Sequence, residues 1–469
     1  MKMVCLIAWG LLGVNGWLPA KVIRVPGQQA TIQQAIEKSD PGDIVLVSPG
    51  TYRERLRMKP GMILRSVGEK GAFQTVIDCG GLEGELPGVT MAEGATLDGF
   101  TVTGVGRYDE ARWKKNWDDH GNTQSHEHMG GFGIPGIGVD QVNCTVINNI
   151  IHHNGGTGIA ISGSEEGANS PVVRGNISYR NMGGGIGSMN GSAAVIDSNR
   201  CYENFYAGIG NHNASPLVMG NTCYRNVRAG IGVSEGACPV IRGNDCYQNR
   251  RAGIGVRTGV ETRPVIEGND CYENEMAGIG MEEGSSPIVR GNNCYRNLLA
   301  GIGCRGGAIG LIVGNSCYEN KAAGIGIESA QARLVKNKIE RNQAAGVGIR
   351  GVSEVTLVKN RCLGNRLVAV GVPGAARVTM TGNVLERKGG MPPIVAIMKE
   401  AKVVMVGNTI EGGGISGVML LGELKAVGNR FQGADGGSGI WARTGSQLVQ
   451  EGNVISGYKK SVRRDSGGK

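Results

Sequence analysis

The stretch Asn244 to Val256 reads NDCYQNRRAGIGV, and near-copies begin at Asn221 (NTCYRNVRAGIGV) and at Asn269 (NDCYENEMAGIGM). A repeat of this kind constrains the fold more tightly than any bulk property. Its first asparagine recurs at 149, 176, 199, 221, 244, 269, 292, 315, 337, 360, 383, 408, 429 and 453, a mean step of about 23 residues. Each unit holds three short apolar pieces, such as Pro239 to Ile241, Cys246 to Tyr247 and Gly253 to Val256. All are too short for helices, and Asn or Gly, which suit turns, bound them. No stretch of ten residues keeps a helical period, so a solenoid of helices is excluded. The pattern predicts an all-β chain wound as a right-handed parallel β-helix of about fourteen turns, with three short strands per rung.

The columns of such a coil have separate meanings. Stacked asparagine amides can hydrogen-bond to the rungs above and below. Ile254 and Val256 lie two apart and face inward, so Gly255 faces outward, as do Gly210, Gly232, Gly280, Gly303, Gly326 and Gly348. That leaves one outer wall bare. Either the bareness serves tight turns, or something packs flat there: a partner subunit, the tail or an extended polymer. Two residues past each outer glycine come Arg257, Glu282, Arg305, Glu328 and Arg350, alternating in sign. Two past each cysteine come Glu203, Arg225, Gln248, Glu273, Arg296 and Glu319. Stacked like charges repel, so alternation suits this architecture and sets register.

Cys201, Cys223, Cys246, Cys271, Cys294 and Cys317 share one column. Buried thiols acting as small hydrophobes, some disulfides, or a soft-metal site are all open readings. Ser178, Ile339 and Cys362 occupy the same slot elsewhere, which favours packing. With only 4% aromatic residues, the core must be aliphatic.

The ends complete the layout. Residues 1–20 have the form of a signal peptide, with Lys2, an apolar run from Val4 to Val14, and Ala20 at the cleavage point. This predicts an extracytoplasmic mature chain that does not span a membrane. Thr31 to Ser39 reads as an amphipathic helix that covers the open end of the coil, with Thr31 and Gln34 as a capping box. The coil is expected over 21–457 and a basic, disordered tail over 458–469. The formal charge of +9 forms no basic block, which argues against nucleic acid as a partner.

The repeat breaks once. Phe100 takes the ladder position of an early rung, yet the matching Gly-Ile-Gly begins only at Gly136. The insertion, residues 107–132, holds Trp113, Trp117, His120, His126 and His128, and His152 follows in the outward tyrosine column near its root. His126, His128 and His152 are candidate metal ligands. Trp113 and Trp117 could stack on sugar rings, with Arg107 and Arg112 holding a substrate's carboxylates. Asp118, Asp119, His120, Lys114 and Lys115 are the candidates for acid–base work. The competing reading is a polar loop whose aromatics pin it to the coil wall.

The Asn-x-Cys-Tyr-x-Asn rungs with Gly-Ile-Gly resemble the Asn-rich repeats of right-handed parallel β-helix proteins. That group includes pectate-lyase-like enzymes, uronan epimerases and lyases, and NosD-type accessory proteins. TIQQAIEKSDPGDIVLVSPGTYRERL, Thr31 to Leu56, is similar to the usual opening of such coils. GTYRE, Gly50 to Glu54, resembles pectin methylesterases in particular, but that family's Gln-Asp and Asp-Phe motifs are missing. DDHGN, Asp118 to Asn122, resembles the Asp-Pro-His-Asp signature of uronan epimerases but lacks its proline. The resemblance implies a protein that binds or modifies acidic polysaccharide as a lyase or epimerase would, with calcium or a transition metal as possible cofactor. Its alternative implication is a non-catalytic scaffold or metal-handling accessory protein.

Overall fold

A computed structural model describes residues 20–68, 71–119, 133–164 and 168–465. The chain winds into a right-handed parallel β-helix whose rungs contribute strands to three parallel sheets, A, B and C, of 18, 17 and 17 strands. In one rung these are Val240–Arg242 in sheet A, Asp245–Tyr247 in sheet B and Ile254–Val256 in sheet C. Each strand pairs in register with its equivalent one rung on, as Cys246 with Cys271 and Gly255 with Gly280. The coil is therefore longer than the fourteen turns counted from asparagines, because the first rungs carry none. Phe100 stands at the ladder position as expected, its N–H donating to Asn149 Oδ1 at 2.9 Å.

The reason for the asparagines is explicit in the bonds. Asn269 Oδ1 accepts from both the N–H and the side-chain amide of Asn244, each at 2.9 Å. Its own amide donates to Ile241 O at 3.0 Å and to Asn292 Oδ1 at 2.9 Å. This pattern runs unbroken from Asn149 to Asn453, and a second ladder runs from Asn154 to Asn365. Each buried turn thereby satisfies polar groups that water cannot reach.

The interior is a stack of aliphatic columns, and the cysteine column is part of it. Cys201, Cys223, Cys246, Cys271, Cys294 and Cys317 are fully buried and form no disulfide. Burial pushes the thiol of Cys362 up to about 12, so it stays protonated. The charge columns form the expected inter-rung ion pairs, Arg180 with Glu203 at 2.8 Å and Arg305 with Glu282 through Nε at 2.8 Å. Residues two past the cysteines also occupy left-handed backbone, Glu203 at φ 54° and Arg296 at φ 54°. That turn geometry is one the sequence pattern does not announce for charged residues.

Helix α1, Ile32–Lys38, covers the N-terminal end, with Thr31 accepting from Gln34 N–H. At the other end the expected tail is corrected. Lys460–Arg464 is a strand of sheet C paired with Ser438–Ala442, because Val462 continues the inward column below Ile440. Trp441 is held there between Arg443 and Arg463, and its Nε1 donates to Asp465 at 2.7 Å. Among the described residues, no helix is long and apolar enough to cross a membrane.

Candidate functional site

The insertion begins as a helix, α2, Glu110–Asp118, N-capped by Asp109. Trp113 is 4% exposed and packs with Met182, Phe205, Tyr206 and Val227 on the turns between sheets B and C. Its Nε1 donates to Glu203 O at 2.7 Å. Trp117 stacks on it at 5.4 Å, and guanidinium groups close the stack, Arg180 3.8 Å from Trp113 and Arg250 3.9 Å from Trp117. Both ring faces of Trp113 are thus taken by protein, which assigns it to anchoring α2 rather than to stacking on sugar. Arg112 lies over Phe205 at 5.0 Å. Lys114 is paired with Asp118 at 3.0 Å on the exposed face, and Asp119 forms the C-cap. The backbone of Arg107 runs against Gly155. These candidates share a helix and its flanks without converging on one point. His120, His126 and His128 lie outside the described residues. Among the described residues, no group of three or more His, Cys, Asp or Glu could hold a metal ion.

His152 is where its register places it, at the head of the tyrosine column. It stacks on Tyr179 at 4.9 Å, and the column continues through Tyr202 to Tyr318 at 4.9–5.0 Å. Its Nδ1 lies 2.9 Å from His153 Nδ1 and 3.3 Å from Thr103 Oγ1. Tyr108 meets the ring of His153 and donates to Glu110 at 2.7 Å. Burial, then the neighbouring His153, lowers the pKa of His152 to about 4. The fold therefore favours neutral His152, and the stability this confers is complete above its ordinary value of 6.5. It is lost as pH falls from there toward 4. The melting temperature should accordingly drop across that interval, and His152→Tyr, which continues the column, should make the drop smaller, with the half-buried His153 supplying part of what remains.

The larger feature lies on sheet C. The outward column runs in register from Gly187 through Gly210, Gly232, Gly255, Gly280, Gly303, Gly326 and Gly348 to Gly371. At about 4.8 Å per rung it is roughly 38 Å long. Beside it runs a lane of alanines, and together they floor an open groove of about 940 Å³. One wall begins with Tyr206, Arg228 and Arg251 and continues with Met276, Leu299, Ala322 and Ala344. The facing wall is the charge column Arg257, Glu282, Arg305, Glu328 and Arg350. Bulk bounds both ends. Pro87 sits over Gly138, where a Cβ would lie 2.7 Å from its Cγ. Beyond Ala396 the floor column carries Met419 and Trp441.

Arg228 is 6% exposed and lies over Tyr206 at 5.3 Å. Burial, then the like charge of Arg251, lowers its pKa to about 10. Arg228 and Arg251 stand on adjacent rungs, since Arg251 N–H donates to Arg228 O. The sign alternation of the two charge columns is thus not followed at the mouth of the groove, with Arg257 across from the pair. The basic groups predicted to matter were in the insertion, whereas those brought together are here. The signal for them was visible as RRAG, Arg250 to Gly253, beside VRAG, Val227 to Gly230.

A family model described as the right-handed β-helix region matches residues 127–261, 220–351 and 327–467. The chain belongs to that family. No curated protein matches this β-helix chain in sequence. Among solved structures it is similar to the A-module of a mannuronan C-5 epimerase from Azotobacter vinelandii, at 14% identity and a TM-score of 0.36, covering 92% of this chain and 93% of that one. A periplasmic alginate epimerase is similar at 15% identity and a TM-score of 0.36, covering 82% and 83%. An alginate lyase from a Paenibacillus species follows at 17% identity and a TM-score of 0.40, covering 59% and 95%.

Proposed function

We propose that this β-helix protein binds an extended acidic polysaccharide outside the cytoplasm, and that the groove on sheet C is the site. The observation that carries the reading is the groove's cross-section. Its floor has almost no side chains, so a flat chain can approach the backbone closely. One wall supplies apolar contact for the non-polar faces of sugar rings, and the other supplies charge. Five arginines against three glutamates line it, Arg228, Arg251, Arg257, Arg305 and Arg350 against Glu282, Glu283 and Glu328. A polyanion is favoured over a neutral glycan, and guanidinium groups suit carboxylates because they can donate two parallel hydrogen bonds. α2 buttresses the basic end by packing on Tyr206 and Phe205.

Titration calorimetry of the full chain against uronate-containing polysaccharides tests this. Binding should weaken in high salt, as charge-led recognition requires. Arg228→Met and Arg251→Met, which keep the apolar stem, should each cost about tenfold or more in affinity, since a hydrogen bond to a charged group contributes roughly 1.5–3 kcal/mol. Unchanged affinity in both variants would remove the groove from the proposal. Trp117→Ala serves as the comparison for the insertion.

A further inference from the structure

We propose that the groove selects a glycan whose acidic groups recur on every second sugar, in preference to one that is acidic at every sugar. This rests on the reading of the groove as an acidic-polysaccharide site and adds the charge spacing of the ligand. The charged wall is ordered by rung. Arg305 pairs in register with Glu328, and Glu328 with Arg350. Arg305 also reaches back to Glu282 one rung earlier, with Nε at 2.8 Å. Positive groups on this wall therefore recur every second rung, about 9.6 Å apart at roughly 4.8 Å per rung.

A pyranose in an extended β-linked chain advances by about one rung, so successive sugars meet successive rungs. If every sugar carries a carboxylate, the intervening carboxylates have two places to go. They face Glu282 and Glu328, where like charges repel, or they turn to the opposite wall. There Met276, Leu299, Ala322 and Ala344 offer no donor side chain, and a carboxylate loses water without replacement. If only alternate sugars are acidic, every carboxylate can meet Arg257, Arg305 or Arg350. The neutral sugars between them then present hydroxyl or amide donors to the glutamates. The glutamates thus act as repulsive elements that reject the fully charged chain.

The experiment compares two probes of equal length on the full chain by calorimetry at low salt. One is a hyaluronan oligosaccharide, carboxylated on alternate sugars, and the other is a β-(1→4)-linked oligomannuronate, carboxylated on all. The alternating probe should bind at least tenfold tighter. Glu282→Gln combined with Glu328→Gln should narrow that ratio below about threefold by raising affinity for the oligomannuronate. Both side chains lie on the outer wall, and circular dichroism confirms that the double variant is folded. Equal or tighter binding of the oligomannuronate to the unaltered protein overturns the spacing inference and leaves the groove reading standing. So does a ratio that the double variant fails to change. Absence of binding by either probe, with no effect of Arg228→Met or Arg251→Met on any other acidic glycan, overturns the groove reading itself.

Discussion

Asn269→Ala is expected to destabilise the coil by roughly 4 kcal/mol or more, because it strands several buried groups at about 1–3 kcal/mol each. The N–H and side-chain amide of Asn244 lose their common acceptor, and Ile241 O loses the amide that donates to it. Asn292 Oδ1 loses one of its two. Water cannot replace them, since Asn244 and Asn292 are fully buried. Asn453 closes the same ladder at its partly buried end, where Asn429 is its one ladder neighbour among the described residues. Asn453→Ala should therefore cost less than half as much. Urea unfolding followed by circular dichroism compares the two, and similar losses would contradict a network that gains strength from burial and continuity.

The second large effect separates two glycines two residues apart. Gly253 faces the packed interior, and a Cβ there would lie 2.7 Å from Gly278 O, 2.9 Å from Asn274 Nδ2 and 3.1 Å from Cys271 Cβ. These are backbone and ladder atoms held on both sides, so Gly253→Ala should cost about 3 kcal/mol, at the upper end of overpacking. Gly255 faces the groove, where the nearest atom to an added Cβ is Ala229 Cβ at 3.8 Å. Gly255→Phe should fold normally and obstruct a bound chain, with affinity for acidic glycan falling by more than tenfold. Loss of folding in Gly255→Phe, or unaltered binding by it, would contradict the assignment of floor and interior.

The fold was legible because its physics is periodic. Asn244, Cys246, Gly253 and Gly255 each repeat a requirement of one position, and reading a column is easier than reading a residue. The capping helix was equally plain, since Thr31 and Gln34 act within one turn. The tail was misread because Val462 fills an inward column that is defined only by the rung beneath it. The candidate site was read from the one place where the repeat stops, and there the structure gives Trp113 an anchoring role. The arginines that gather do so across rungs, and Arg228, Arg251 and Arg257 become neighbours only once the step of the coil is known. The bare wall marked by the glycines was visible in advance, but its concavity depends on the side chains that flank it.

The two charge columns carry one more consequence. Glu273 and Glu282 belong to the same rung, as do Arg296 with Arg305, Glu319 with Glu328, and Arg341 with Arg350. Rungs in this part of the coil therefore come in acidic and basic kinds that alternate. Removing or copying a single rung would set two of one kind side by side, in both columns at once. A change of two rungs keeps every neighbour opposite and moves the groove by a whole period. The structural repeat is one rung, but the electrostatic repeat has even parity. By charge, this coil lengthens and shortens in pairs.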